Sequence, residues 1–270
     1  MSFFTTYADA ELSLQEPFDA AVVMPTILRP EIADALASIF AQDFTGRIQV
    51  LVGIDAPRGD LGAVEAACAR RPRHCAVQLF HPGYSTSVRH GGLCEARDGG
   101  ALRSVLTLLA NSRRVAYLDD DNWWHPYHLR HLIEVMERHD YAFSLRWFTH
   151  PETRRVVCRD DWESVGPGKG IYKDSFGGFI DPSCLMIDKV RCPEIPPLWS
   201  HPWPGDHTGM SADRGVFRAL SAHRTGRATN QATVFYRMDP GDVMHAERMK
   251  AMAAHYQAAG ADDRFPTRKM

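Results

Sequence analysis
The apolar run Val115-Ala116-Tyr117-Leu118 ends in three consecutive carboxylates, Asp119-Asp120-Asp121, and Asn122-Trp123-Trp124 then leads to a helix signal at His125-Pro126. Four apolar residues in a row suit a strand buried on both faces, the kind found in a parallel sheet covered by helices. Adjacent carboxylates at its end repel one another unless a cation sits among them. An oxygen-only ligand set favours a hard ion, Mg²⁺ or Mn²⁺, and such ions usually share their shell with substrate phosphates. In extended chain Asp119 and Asp121 point to one side and Asp120 to the other. Asp119-x-Asp121 is therefore a candidate metal and diphosphate site, with an acidic turn that merely caps the next helix as the bland alternative.

The chain before this stretch repeats the same order. Ala20-Ala21-Val22-Val23-Met24 predicts a first strand, and Pro25-Thr26-Ile27-Leu28-Arg29 the loop at its end. Pro30 suits the first turn of a helix, in which Ile32, Leu36, Ile39 and Phe40 recur at helical spacing. A second strand over 48–54 ends at Asp55, a helix follows over 61–69, and a third strand over 76–80. Residues 81–100, rich in Gly, Ser and His, predict a loop, and Leu102, Val105, Leu106 and Leu109 mark the helix that feeds the Val115 strand. Strand and helix in alternation imply a parallel sheet with helices on both faces. In such sheets ligands bind beyond the carboxyl ends of the strands. Asp55, the aspartate triplet and the Thr26–Arg29 loop all fall on that edge.

The second half predicts a mixed α+β arrangement rather than a separate domain. Residues 141–148 alternate as a strand, and 154–158 pair with it across a turn at Pro151-Glu152. A strand at Cys184-Leu185-Met186-Ile187, a Pro- and Trp-rich loop over 192–205, a helix over 211–222, a strand over 232–236 and a final helix over 243–259 complete the chain. We expect one catalytic domain over 1–270, with a nucleotide-binding half (about 20–125), an acceptor-side half (about 126–240) and a C-terminal helix and tail (about 241–270).

Bulk properties exclude several classes. A net charge of -2 lacks the basic footprint of a nucleic-acid binder. No apolar run is long enough to span a bilayer, and the first residues lack the basic and apolar regions of a signal peptide. Six scattered cysteines without a C-x-x-C pair predict reduced, mostly buried thiols, and a cytoplasmic protein is the default expectation.

With these elements in place, the chain resembles the inverting family 2 glycosyltransferases of the GT-A fold over roughly residues 20–240. Val22-Val23-Met24-Pro25-Thr26 with Arg29-Pro30 and Ala41-Gln42 is similar to that family's first strand and helix. Ala101-Leu102-Arg103-Ser104 resembles its Ala-Ala-Arg-Asn stretch, with Ser104 in place of Asn, and Tyr117-Leu118-Asp119-Asp120-Asp121 resembles its aspartate motif. Ser211-Ala212-Asp213 with Phe217-Arg218-Ala219-Leu220 is similar to its later Glu-Asp motif, with Ala212 in place of Glu, and Phe235-Tyr236-Arg237 resembles its final strand. The resemblance implies an α/β fold of the GT-A (Rossmann-like) type, a nucleoside-diphosphate sugar as donor, a glycan or other hydroxyl acceptor, and transfer with inversion.

It also implies roles for particular residues. Asp121 would contact the metal, Mn²⁺ or Mg²⁺, with Asp119 reaching the metal or the ribose, and a divalent cation neutralises charge on the departing diphosphate. Asp213 would be the base that takes the acceptor hydroxyl's proton; its bland alternative is a first-turn Asp favoured by the helix dipole. Thr26, Arg29, Asp55, Arg103 and Asp120 are candidates for holding the donor, Asp55 near the nucleotide base and the arginines on phosphate. His245 is a candidate further metal ligand from near the C-terminus, in competition with Asp239. His125, His128 and His131 are spaced around a helix rather than as a ligand pair, which predicts a solvated face. At most one of Trp123 and Trp124 faces a sugar, Gly177-Gly178 is a place where backbone could approach the donor, and Asp181 and Trp203 are expected near the acceptor. Two rivals are a nucleotidyltransferase, disfavoured because the Pro25–Arg29 loop lacks glycine, and a catalytically silent sugar-nucleotide or glycan-binding module, which the Ser104 and Ala212 departures keep open.

Overall fold
A computed structural model describes residues 4–56, 58–97, 99–206 and 212–258, without side-chain detail for 254–258. Its frame is a ten-stranded sheet, whose parallel block runs Cys75–Phe80, Ile48–Ile54, Ala20–Thr26, Arg114–Tyr117. Every residue of Ala20–Thr26 and of Ile48–Ile54 is buried, Thr26 and Gln49 included, as strands between two helical layers are. The connecting helices are Ile32–Phe40, Leu61–Ala69 and Gly100–Leu109. The first buries Ile32, Ala35, Leu36 and Ile39 on one face; the second is capped by Asp60, which accepts from the Gly62 N–H at 2.8 Å.

Beyond Arg114–Tyr117 the sheet becomes mixed. Leu185–Asp188 lies antiparallel to both Arg114–Tyr117 and Tyr141–Thr149, and Gly226–Arg237 runs parallel to Tyr141–Thr149. Because that one reversed strand is followed by two forward ones, the strands ending at Phe80, Ile54, Thr26, Tyr117, Thr149 and Arg237 all open at one edge. Val156–Arg159 folds back antiparallel on Tyr141–Thr149, the pairing expected across Pro151. Helices Ala212–His223 and His245–Ala258 close the chain; the expected end positions Ser211 and Ala259 lie outside the described residues.

Three elements differ from expectation. The polar leader contains a strand, Phe4–Tyr7, which pairs antiparallel with Cys75–Phe80 at the sheet edge. Half-exposed and only four residues long, it carries too little apolar pattern to announce itself. Trp123–Trp124 forms a short strand against Val234 and Phe235. Gly226–Arg237 is twelve residues long, because its polar, partly exposed first half pairs with Tyr141–Leu145 through bulges. The cysteines are all free thiols, five of them buried. Among the described residues no helix is long and apolar enough to cross a membrane.

Candidate active site
A cleft of about 640 Å³ opens at the carboxyl edge of the sheet. Thr26, Arg29, Asp55, Arg103, Asp119, Asp120, Asp121 and Asp213 all line it, and so does Asp239. His245 does not: it opens the C-terminal helix, half-buried, with its Nδ1 unpartnered among the described residues. Near the C-terminus the chain therefore brings Asp239, not His245, to the cleft.

The aspartate triplet sits in a turn just past Tyr117, closed by the Asn122 N–H donating to the Asp119 carbonyl at 3.1 Å. The expected split survives that turn. Asp120 points inward and is buried, while Asp119 and Asp121 are half-exposed to the cleft. Asp120 accepts from Thr26 Oγ1 at 2.6 Å and from Arg29 Nη1 at 2.7 Å. Thr26 Oγ1 in turn accepts from the Leu28 N–H at 2.7 Å, which bends the loop so that Leu28 adopts a left-handed φ of 66°. A strained turn between two buried anchors delivers Arg29 to the carboxylates. Its Nη1 reaches Asp121 only at 3.4 Å.

Asp119 is paired with Arg103, whose guanidinium also lies over the Trp199 ring at 5.5 Å. Arg103 sits in the first turn of Gly100–Leu109, which starts in close quarters: a Cβ on Gly99 would strike the Pro25 side chain, and one on Gly100 the Trp199 carbonyl. Gly99 has a φ of 77°, so glycine serves both the turn and the close approach.

Asp55, at the end of Ile48–Ile54, is held by the loop opposite. It accepts from Ser85 Oγ at 2.9 Å, from the Thr86 N–H at 2.7 Å and from Thr86 Oγ1 at 2.6 Å. The loop over 81–100 is thereby tied to the cleft floor.

Several cleft carboxyls have raised pKa values. Burial, followed by repulsion from Asp119 and Asp120, pushes Asp121 up to about 7, against the pull of Arg29 and Arg237. Burial pushes Asp213 up to about 7 as well, opposed by Arg214 and reinforced by Asp181. Asp120 is also raised by burial, with Arg29 and Thr26 working against it.

Behind these groups lies a buried ionic network whose centre sequence patterning did not reveal. Arg146, fully buried in Tyr141–Thr149, donates from Nε to Asp160 at 2.7 Å, pairs with Glu163 at 2.9 Å and also holds Asp181. Arg248 on the last helix binds Glu163 through two bonds of 2.8 Å and Asp242 at 2.6 Å. Burial opposes ionisation of Glu163, but Arg146 and Arg248 overcome it and hold Glu163 down to about 2. Asp181, Glu163, Asp242 and Arg248 line the cleft, so the network is its rear wall and joins the last helix to it. Arg237 also lines the cleft; its N–H donates to Asn122 Oδ1 at 3.0 Å and its side chain pairs with Glu31 at 3.2 Å.

Other candidates have structural places instead. Trp124 is buried, donating from Nε1 to the Ser183 carbonyl at 2.9 Å, and Trp123 stacks on Phe235 at 5.6 Å; neither lines the cleft. The solvated-face expectation fails at His128, which is fully buried against Trp124 with its ring bound to Thr233 Oγ1 at 2.7 Å. Burial lowers its pKa well below the usual histidine value, so it is a neutral core residue. Gly177 and Gly178 lie outside the cleft, and a Cβ on Gly178 would strike the Gly166 carbonyl of the paired strand.

The donor set at the turn fits a hard divalent cation. It consists of carboxylate oxygens only, and at Asp121 burial, followed by repulsion from Asp119 and Asp120, raises the pKa, a cost that a bound cation would relieve. Among the described residues no three acidic, histidine or cysteine side chains already form a closed metal cage.

No family model and no curated protein matches the sequence. Solved structures do match in fold. TarS from S. aureus aligns with a TM-score of 0.57 at 14% identity over 91% of this chain and 41% of its own. Its residues 1–349 in complex with UDP-GlcNAc align at 0.59 and 13%, over 91% of this chain and 68% of that one. The mannosyltransferase PcManGT from Pyrobaculum calidifontis, in complex with GDP-Man and Mn²⁺, aligns at 0.54 and 13%, over 95% and 68%. The chain thus spans about two fifths of the longest of these. With its mostly parallel central sheet flanked by helices and its polar edge beyond the strand ends, the chain has the GT-A fold.

Proposed function
We propose that this chain is a metal-dependent glycosyltransferase that moves a sugar from a nucleoside-diphosphate donor to an acceptor hydroxyl with inversion. The observation that carries the reading is the meeting, in one cleft, of the Asp119–Asp121 turn, the guanidiniums of Arg29 and Arg103, and the raised carboxyl of Asp213. The neighbours in complex with UDP-GlcNAc and with GDP-Man and Mn²⁺ support the donor class and the metal.

Asp121 and Asp119 are the residues that would hold the cation, which when bound neutralises charge developing on the diphosphate. Arg29 and Arg103 are the guanidiniums that would offer planar donor pairs to phosphate oxygens. Asp55 lies at the floor, where the base of a nucleotide would be read. As the acceptor oxygen bonds to the anomeric carbon, its proton passes to the Asp213 carboxylate and the bond from that carbon to the diphosphate oxygen breaks. A base with a pKa near 7 is suited to that step at neutral pH. The acceptor belongs on the side of residues 126–240, where Asp213 stands.

The test is release of nucleoside diphosphate from a panel of nucleotide sugars with Mn²⁺, with Mg²⁺ and with EDTA. One donor should be consumed in a metal-dependent way, and Asp121→Ala should abolish it. Binding of a donor without any turnover would favour the silent binding module, and release of pyrophosphate from a nucleoside triphosphate the nucleotidyltransferase.

A further inference from the structure
Apart from Arg89 and Arg97, which also line the cleft, the arginines of the cleft and of the helix beside it fall into two kinds. Arg29, Arg103, Arg237 and Arg248 are each paired with a carboxylate: Asp120, Asp119, Glu31 and Glu163. Arg214 and Arg218 are not: among the described residues neither forms an ion pair, and both lie over aromatic rings. The Arg214 guanidinium is 4.5 Å from the centre of Phe176 and 5.4 Å from that of Tyr172, and the Arg218 guanidinium is 5.2 Å from that of Trp203. Phe176 and Trp203 meet edge to face at 5.6 Å, so the rings and cations form one continuous wall. The two arginines are one turn apart on Ala212–His223, hence on the same face of the helix. That wall starts one residue from Asp213, and Arg214 and Tyr172 line the same cleft.

A guanidinium stacked on a ring keeps its in-plane N–H groups available, and no ion pair among the described residues offsets the charge of these two, only the field of the adjacent Asp213 acting on Arg214. Aromatic faces pack against the C–H faces of sugars. We infer that the acceptor is an anionic saccharide: the ring wall takes a sugar, and Arg214 and Arg218 take phosphate, sulfate or carboxylate groups it carries next to the reacting hydroxyl. This rests on the proposal that Asp213 is the base of a glycosyl transfer.

The probe is a short fluorescent dextran sulfate, compared with neutral dextran of equal length and with inorganic polyphosphate, followed by anisotropy in the presence of Mn²⁺ and UDP or GDP. Dextran sulfate should bind at least tenfold more tightly than either and weaken with added salt. The double variant Arg214→Gln, Arg218→Gln should lose tenfold or more of that affinity, and Arg214→Lys, Arg218→Lys should recover part of it. Both variants should keep the thermal shift given by the nucleoside diphosphate, which shows that they fold. Equal binding of charged and neutral dextran, equal binding of polyphosphate, or an unchanged double variant would overturn the inference. So would loss of the diphosphate shift in the double variant, since the arginines would then serve the donor. If the unaltered protein shows no diphosphate shift at all, the donor site fails, and the dextran comparison still decides the wall.

Discussion

Asp213 and Asp121 both hold their protons to about pH 7, but a bound cation acts on only one of them. A cation competes with the proton at Asp121, so saturating Mn²⁺ removes that titration. The remaining acid limb should belong to Asp213: kcat/KM rises with pH through a midpoint near 7 and then levels. Asp213→Asn should lower kcat by about 10²–10⁴ and leave nucleotide affinity unchanged. A flat profile through neutral pH in the unaltered protein would contradict the base assignment. The sign for stability is opposite. A carboxyl whose folded pKa is raised favours folding while it keeps its proton and loses that contribution as pH rises through 7. Melting temperatures of Asp213→Asn and the parent should therefore run in parallel below about pH 4, diverge as pH rises from there to about 7, and stay apart by a constant amount above it, with the variant relatively higher. Arg29 competes with any cation for Asp120 and Asp121. Arg29→Gln should tighten Mn²⁺ binding in the absence of nucleotide several-fold and weaken diphosphate binding, both read by calorimetric titration.

At the scale of elements, the strand Tyr141–Thr149 carries the largest electrostatic commitment. Its Arg146 has no exposed side-chain surface and is ringed by Asp160, Glu163 and Asp181. Arg146→Met would leave those buried acids short of their counter-charge. A loss of about 3–5 kcal/mol is expected for breaking one side of a buried pair. In a chain of this length that lowers the melting point by roughly 6 to 20 °C. A variant melting within a degree of the parent would show that the network is not structural. In the sequence the strand was legible from its alternation, but the destination of Arg146 was not, because its partners lie 14 to 35 residues away in loops without period. The parallel strands were legible because each is a short, mostly apolar run, interrupted only by Gln49 in Ile48–Ile54 and Gln78 in Cys75–Phe80. His128 departs from the solvated face that the spacing of His125, His128 and His131 predicts, because stacking on Trp124 and the bond to Thr233 take that one ring into the core.

Across the whole molecule, the edge of the sheet was legible before any coordinates. Thr26, Asp55 and Asp119 each follow an apolar run, and parallel topology alone makes their positions converge. What local pattern could not supply is the closure from the far side of the chain. Arg237 and Asp239 arrive beside the aspartate turn because Trp123–Trp124 pairs with Val234 and Phe235, a contact between two short segments more than a hundred residues apart. The last helix is brought in by Arg248, again through an ion pair spanning 85 residues. His245 failed to reach the cleft for the same reason: proximity to the C-terminus did not specify which side of the helix start would face inward.

The most direct test of the donor site is thermal unfolding against UDP, GDP and other nucleoside diphosphates, with Mn²⁺, with Mg²⁺ and with EDTA. At about a hundred times the dissociation constant a ligand of the folded state adds roughly 2.7 kcal/mol. For a chain of this size that is a rise of roughly 5 to 11 °C. The account predicts such a rise for one diphosphate, only with a divalent cation, and its disappearance in Asp121→Ala. A protein that no diphosphate stabilises under any metal condition, or whose stabilisation persists in Asp121→Ala, would contradict it.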